Sequence, residues 1–298
     1  QIGDITALIE YAMMVLFFLM MAQMVILTLP RALECCERVR LVLDHTPEIV
    51  DLVLRDPEED HQNPEVLAFR DVSFRFQDAE EDTLGHLNFV CRRGETTAII
   101  GGTGSGKSTV ASLILRFHDV TDGAIELNGT DIRNMPQKFL RDHLDYVQQK
   151  AWLFSGTIAE NLRYSRPDAA EEELMHAADV ALAGDFIRSL PDGLNSFVAQ
   201  GGVNFSGGQK QRLSIARALV KRPELYIFDD SFSALDFKTD AALRRALAAE
   251  TKDAAVLIIA QRVSSIRHAD QIVVLHEGHR TLLEKKGAYA ALYDCQFE

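Results

Sequence analysis

A chain of 298 residues has room for one domain of ordinary size plus an appendage, and its 47% hydrophobic and 25% charged content excludes global disorder. A formal net charge of −13 argues against a nucleic-acid sheath, which would want a basic face, so no nucleic-acid partner is expected and any phosphate chemistry must come from local geometry. The four cysteines, Cys35, Cys36, Cys91 and Cys295, lack the paired spacing of a zinc site and fit a reduced, cytosolic setting. The chain opens on Gln1 and reads as part of a longer protein.

Within residues 11–29, a run of 19, only Gln23 and Thr28 are clearly polar. That length approaches the roughly 20 apolar residues that cross a bilayer as a helix. A buried core helix rarely goes so far without a polar face. A signal peptide carries positive charge ahead of its apolar run, where this chain has Asp4 and Glu10. Residues 1–31 are therefore predicted as a transmembrane α-helix. Arg31, Arg38 and Arg40 follow it and place its C-terminal end in the cytoplasm. Leu33, Val39, Leu41 and Val42, set among charges, predict a polar helix reaching about Val53. The acidic stretch from Asp56-Pro57 to Asn63-Pro64 reads as a linker, so residues 32–64 form a cytoplasmic helical extension and linker.

From residue 65 to 298, short apolar runs alternate with helical stretches, the rhythm of an α/β domain. The runs at 66–76, 96–100, 145–147, 225–228, 255–259 and 271–275 predict strands, and no internal repeat or low-complexity tract is visible.

The octapeptide Gly101-Gly102-Thr103-Gly104-Ser105-Gly106-Lys107-Ser108 fits the phosphate-binding loop pattern throughout. It follows the strand at 96–100 and opens a helix from Thr109 to residue 115, flanks that a merely flexible glycine turn would not need. Glycines let successive N–H groups curl inward toward phosphate oxygens, and the helix N-terminus adds a favourable partial charge. Lys107 can reach the β- and γ-phosphates of ATP, and the Ser108 hydroxyl suits Mg2+.

A second motif, Ser206-Gly207-Gly208-Gln209, precedes a basic helix at 210–220 and offers a serine and glycine amides at a helix N-terminus to an anion. Its place about 100 residues after the phosphate loop, just before an aspartate-ended strand, gives it weight. In that order it resembles the signature motif of ABC ATPases. The resemblance implies a P-loop nucleotide-binding domain of ABC type over residues 65–298, with a helical subdomain at about 150–220. It also implies that Ser206–Gln209 would touch the γ-phosphate bound by an opposite subunit.

Other segments fall into the same family order. Leu225-Tyr226-Ile227-Phe228-Asp229 resembles the strand whose final aspartate helps hold Mg2+. Gln149 matches the Q-loop glutamine, which senses Mg2+ and faces the membrane domain, and Ser233-Ala234-Leu235-Asp236 matches the D-loop at the dimer interface. Phe76, 25 residues before Gly101, matches the aromatic that stacks on adenine; because Phe69 and Phe74 alternate with it, core packing is the competing reading. The segments at 153–162 and 198–204 resemble exporter-type domains, although many members carry glutamate at the position of Gln200. The N-terminal helix is then similar to the last helix of a multi-pass inner-membrane domain, with the nucleotide-binding domain in the cytoplasm. The exported substrate stays unknown, since the helices that select it lie outside this chain.

Two departures fall on the hydrolytic machinery. Asp230 stands where the family has a glutamate that polarises water, and Gln261 where it has a histidine contacting the γ-phosphate. Aspartate is one methylene shorter, and glutamine cannot carry the charge of an imidazolium. With every binding motif intact, the pattern resembles the degenerate half of a heterodimeric ABC exporter, whose partner half-subunit supplies the active site; chance drift is the other explanation. A third departure is the adjacency of Gly278 to His279-Arg280-Thr281-Leu282-Leu283, where the family has a short strand and turn between the two. Competing functional readings are a soluble ABC ATPase of DNA-repair type, an importer ATPase, a regulatory subunit that only binds ATP, and a fully active homodimeric exporter.

Overall fold

A computed structural model of the chain describes residues 2–47, 49–51, 56–57, 63–102, 104–233, 235–261, 266–276 and 279–282. Helix α1 runs unbroken from Ile2 to Leu43, through Pro30, and none of its residues is buried. Its most apolar 18-residue window has a mean hydropathy of 2.4. About 20 residues cross a hydrocarbon core of about 30 Å, so the change to a charged surface at Arg31 falls inside the helix rather than at its end. Thr6 and Thr28 turn their hydroxyls back onto the carbonyls of Ile2 and Met24, at 3.1 and 3.0 Å, so neither leaves an unpaired polar group on an apolar surface. Past Arg31 the surface carries paired charges, with Arg38 2.7 Å from Glu34.

Contacts group the chain into two units, Gln1–Val50 and Asp51–Glu298. Within the second unit the Asp51 carboxylate accepts hydrogen bonds from the backbone N–H and the side-chain amide of Gln137, at 3.0 and 3.2 Å.

In the second unit the strands are β1 (Glu65–Phe74), β2 (Leu84–Arg92), β3 (Thr96–Gly101), β4 (Asp122–Leu127), β5 (Thr130–Asp131), β6 (Leu144–Val147), β7 (Gly156–Thr157), β8 (Phe197–Val198), β9 (Leu225–Asp229), β10 (Ala255–Ala260), β11 (Gln271–His276) and β12 (His279–Leu282). Among the described residues β7 and β8 pair with each other, and the other ten form one sheet in the order β5-β4-β1-β2-β12-β11-β3-β10-β9-β6. The run β11-β3-β10-β9-β6 is parallel throughout. The helices after α1 are α2 (Lys107–Ile114), α3 (Gln137–Asp142), α4 (Ile158–Leu162), α5 (Glu171–Val180), α6 (Gly184–Ser189), α7 (Gly207–Lys221) and α8 (Phe237–Glu250).

Successive side chains of a strand point to opposite faces, and here that alternation builds two cores. Ile99, Leu225, Ile227, Leu257 and Ile259 share one with Val110, Leu113 and Ile114 of α2. Ala98, Ile100, Phe228, Val256 and Ile258 share the other with Leu174 of α5, Leu213 and Leu219 of α7 and Leu243 of α8. Strands covered on both faces need apolar residues at every position, which is why these segments read as unbroken apolar runs.

Strand β1 stops at Phe74, short of the predicted end at residue 76. The chain turns there, closed by the N–H of Thr83 on the carbonyl of Phe74 at 2.8 Å. Phe69 and Phe74 are buried while Phe76 is 43% exposed. At the far end, β12 folds back antiparallel onto β11 with His276 opposite His279, so two residues connect the strands.

Candidate functional site

Parallel strands bring their carboxyl ends to one edge of the sheet, and ligands of open α/β sheets bind beyond that edge. Registers of Ile259 with Asp229, Ile259 with Ile99 and Val147 with Phe228 set the ends of β3, β6, β9 and β10 side by side. The phosphate-loop pattern begins at the end of β3, Asp229 ends β9 with Asp230 directly after it, Gln149 follows β6 and Gln261 follows β10.

Backbone geometry demands glycine at several loop positions. A Cβ at Gly101 would lie 2.5 Å from both the Leu275 carbonyl oxygen and Ser105 Oγ. Gly104 and Gly106 have φ of +85° and +86°, a region costly for any residue with a Cβ. A Cβ at Gly106 would also meet Leu84 Cδ2 at 2.7 Å and the Thr83 carbonyl at 3.2 Å. Gly106→Ala is therefore expected to cost about 1–2 kcal/mol of left-handed strain. It should lower the unfolding temperature by several degrees, at roughly 2–4 °C per kcal/mol; a thermal melt with an unchanged midpoint would contradict this.

Lys107, the first residue of α2, is buried and turned into the loop. Its Nζ donates to the carbonyls of Gly101 and Gly102 at 2.6 and 2.5 Å and lies 3.4 Å from Ser105 Oγ. Burial pulls its pKa down, while Asp229 and Asp230 oppose the shift. Gly102, Gly104 and Ser108 are exposed, and Thr109 is half-buried. Thr103 lies outside the described residues, as does Ala234 of the D-loop segment.

Asp229 accepts a hydrogen bond from the Tyr146 hydroxyl at 2.7 Å. Burial raises its pKa, and Asp230 adds to that, whereas the Tyr146 bond and Lys107 act against it. Asp230 adopts a left-handed backbone, φ 44°, held by its N–H on the Ile259 carbonyl at 2.7 Å. Its Oδ2 accepts from Gln149 Nε2 at 2.9 Å, so two residues singled out in the sequence meet directly. Gln261 is exposed at the end of β10.

Ser206 and Gln209 form a capping box on α7: Ser206 Oγ accepts from the Gln209 N–H at 3.3 Å, and Gln209 Oε1 accepts from the Ser206 N–H at 2.9 Å. This reciprocal pairing fixes the helix start and leaves Ser206 and Gly207 exposed, with Gly208 half-buried. Among the described residues no hydrogen bond joins this turn to the phosphate loop. Phe76 packs edge-on against Phe74 and His118 at centroid distances of 4.8 and 5.5 Å.

Three residues that tie the site together carry no motif. Tyr146 holds Asp229; buried Ser231 donates to the Val147 carbonyl at 2.6 Å; and buried Gln211 of α7 donates to the Gln148 carbonyl at 3.2 Å. The last bond links the helix behind residues 206–209 to the residue beside Gln149. Polar side chains within apolar segments were the available signal, but their partners depend on strand register.

Magnesium favours hard oxygen ligands and is usually held by one or two carboxylates together with substrate phosphates. Asp229, Ser108 and Gln149 supply only oxygen donors, which fits such an ion. Among the described residues no group of three His, Cys, Asp or Glu side chains is placed to hold a metal unaided.

Comparison with known proteins gives a consistent result. Residues 84–233 match the ABC transporter family model. An uncharacterized ABC transporter ATP-binding protein of Mycobacterium tuberculosis is 42% identical over 308 aligned positions, covering 97% of this chain and 51% of its own length. A Staphylococcus aureus protein provisionally named a multidrug export ATP-binding/permease protein is 44% identical over 232 positions, covering 76% of this chain and 40% of its own. A bacterial Atm1-family ABC exporter solved with ATP bound superposes with a TM-score of 0.81 at 35% identity, over 90% of this chain and 47% of that one. The chain thus spans about half the length of the curated relatives it matches.

Proposed function

The chain belongs to the ABC transporter family, and from that premise we propose that it is the ATP-binding half of an exporter subunit whose own site binds MgATP but hydrolyses it slowly. The reading rests on one observation above all: Lys107, Asp229, Asp230, Gln149 and Gln261 share one edge of the parallel sheet, with Asp230 and Gln261 where the family pattern has glutamate and histidine. ATP would lie with its phosphates on the loop at 101–109 and its adenine against Phe76, whose exposure suits stacking better than a core role. Magnesium, when bound, neutralises charge developing between the β- and γ-phosphates; Ser108, Asp229 and Gln149 are the residues that would hold it.

The shortened carboxylate of Asp230 is engaged by Gln149, which leaves it poorly disposed to orient an attacking water within hydrogen-bond reach. Gln261 supplies no cationic partner for the γ-phosphate. The exposed Ser206–Gln209 turn would instead face the ATP of a second exporter half-subunit, so the pair works as a heterodimer with one competent site. In this arrangement residues 1–31, which include the apolar part of α1, are the last helix of the membrane domain, residues 32–64, beginning with the charged end of α1, connect it to the cytoplasmic nucleotide-binding domain at 65–298, and the helices at about 150–220 form the subdomain carrying the signature. The apolar surface of α1 and the export and permease names of relatives support membrane placement over a soluble DNA-repair ATPase.

Purified without its partner, the chain is expected to bind ATP and turn it over poorly. Steady-state phosphate release from a single-subunit preparation measures this, and robust turnover would count against the heterodimer reading.

A further inference from the structure

The carboxylate of Asp229 has one side-chain donor among the described residues, the Tyr146 hydroxyl at 2.7 Å. Register explains how it gets there. Strands β6 and β9 run parallel with Tyr146 beside Ile227, and Asp229 lies two residues further along on the same face as Ile227. The Tyr146 ring packs against the core that includes Ile227 and Leu144, so the phenol runs along the sheet and delivers its hydroxyl at the strand end.

A carboxylate that holds a metal from the end of a strand has to keep one orientation. Asp229 is half-buried at the end of β9. A bond to Oδ2 fixes the carboxylate plane and leaves Oδ1 as the oxygen without a protein donor among the described residues. Outer partners that orient metal-holding carboxylates commonly matter almost as much as the ligands themselves.

We propose that Tyr146 is a positioning residue for the metal of bound ATP: its hydroxyl holds Asp229 in the orientation that accepts magnesium, through the 2.7 Å bond across β6 and β9. This rests on reading Asp229 as the magnesium residue of the nucleotide site.

Tyr146→Phe tests it, because the ring and its packing stay while the hydroxyl goes. The probe is Mn2+ in place of magnesium, followed by electron paramagnetic resonance on the purified full chain with ATP present, alongside ATP titration in EDTA. The variant is expected to bind Mn2+ roughly 10-fold more weakly, within the 10–100-fold range for outer partners of metal ligands, with ATP affinity in EDTA unchanged. Equal Mn2+ affinity in the two proteins overturns the inference. A parallel loss of ATP affinity in EDTA also overturns it, since that marks a structural role. Wild-type chain that binds ATP but retains no Mn2+ would instead bring down the reading of Asp229, and Tyr146 with it.

Discussion

Lys107→Ala is expected to remove ATP binding at this chain's own site, or weaken it by about two orders of magnitude. Hydrogen bonds to charged groups contribute about 1.5–3 kcal/mol each, and a lysine reaching both β- and γ-phosphates makes more than one. The Nζ of Lys107 rests on the carbonyls of Gly101 and Gly102, inside the curl that the glycine conformations create. Alanine deletes the cation while leaving the two nearby carboxylates, Asp229 and Asp230, whose repulsion of phosphate Lys107 no longer offsets. The loss therefore exceeds that of one hydrogen bond. Titration of the purified chain with a fluorescent ATP analogue measures it, and unchanged affinity would remove Lys107 from the site.

Local motifs were legible in the sequence because their chemistry is local. The loop at 101–108 needs glycine where φ is positive, and Ser206 and Gln209 cap the helix that follows them within four residues. The strands flanking the site were legible as well, since segments buried on both faces leave unbroken apolar runs at 96–100 and 255–259. What escaped depends on contacts between distant segments. Nothing near residue 146 announces that its neighbour is Ile227 rather than another strand residue, so the bond from Tyr146 to Asp229 could not be read. The same holds for Gln211 with Gln148, separated by 63 positions, and for Ser231 with Val147, separated by 84. At Phe76 the alternation with Phe69 and Phe74 extended past the point where the chain turns, because periodicity does not register where a strand loses its partner. At α1 the change in polarity at Arg31 is plain in the sequence, yet the helix continues through it to Leu43; polarity marks an environment, not a helix end.

The central claim is a division of labour, in which this chain lends its signature to a partner's active site while its own site holds ATP. Each nucleotide of a head-to-tail dimer lies between one chain's phosphate loop and the other's signature. Ser206 is exposed at the start of α7, where under the proposed arrangement its hydroxyl and the helix N-terminus would meet charge that develops on the partner's γ-phosphate. Loss of one preorganised donor of this type costs about 10²–10³ in rate, and arginine would add bulk to the same turn. Asp230 already lacks the reach of the family glutamate and is bonded to Gln149, so removing its charge should change total turnover little. Steady-state ATPase activity of the assembled heterodimer, with this chain carrying Ser206→Arg or Asp230→Asn, compares the two directly. The account predicts that Ser206→Arg abolishes most of the turnover and Asp230→Asn spares it; the reverse outcome would make this chain the owner of the active site and contradict the account.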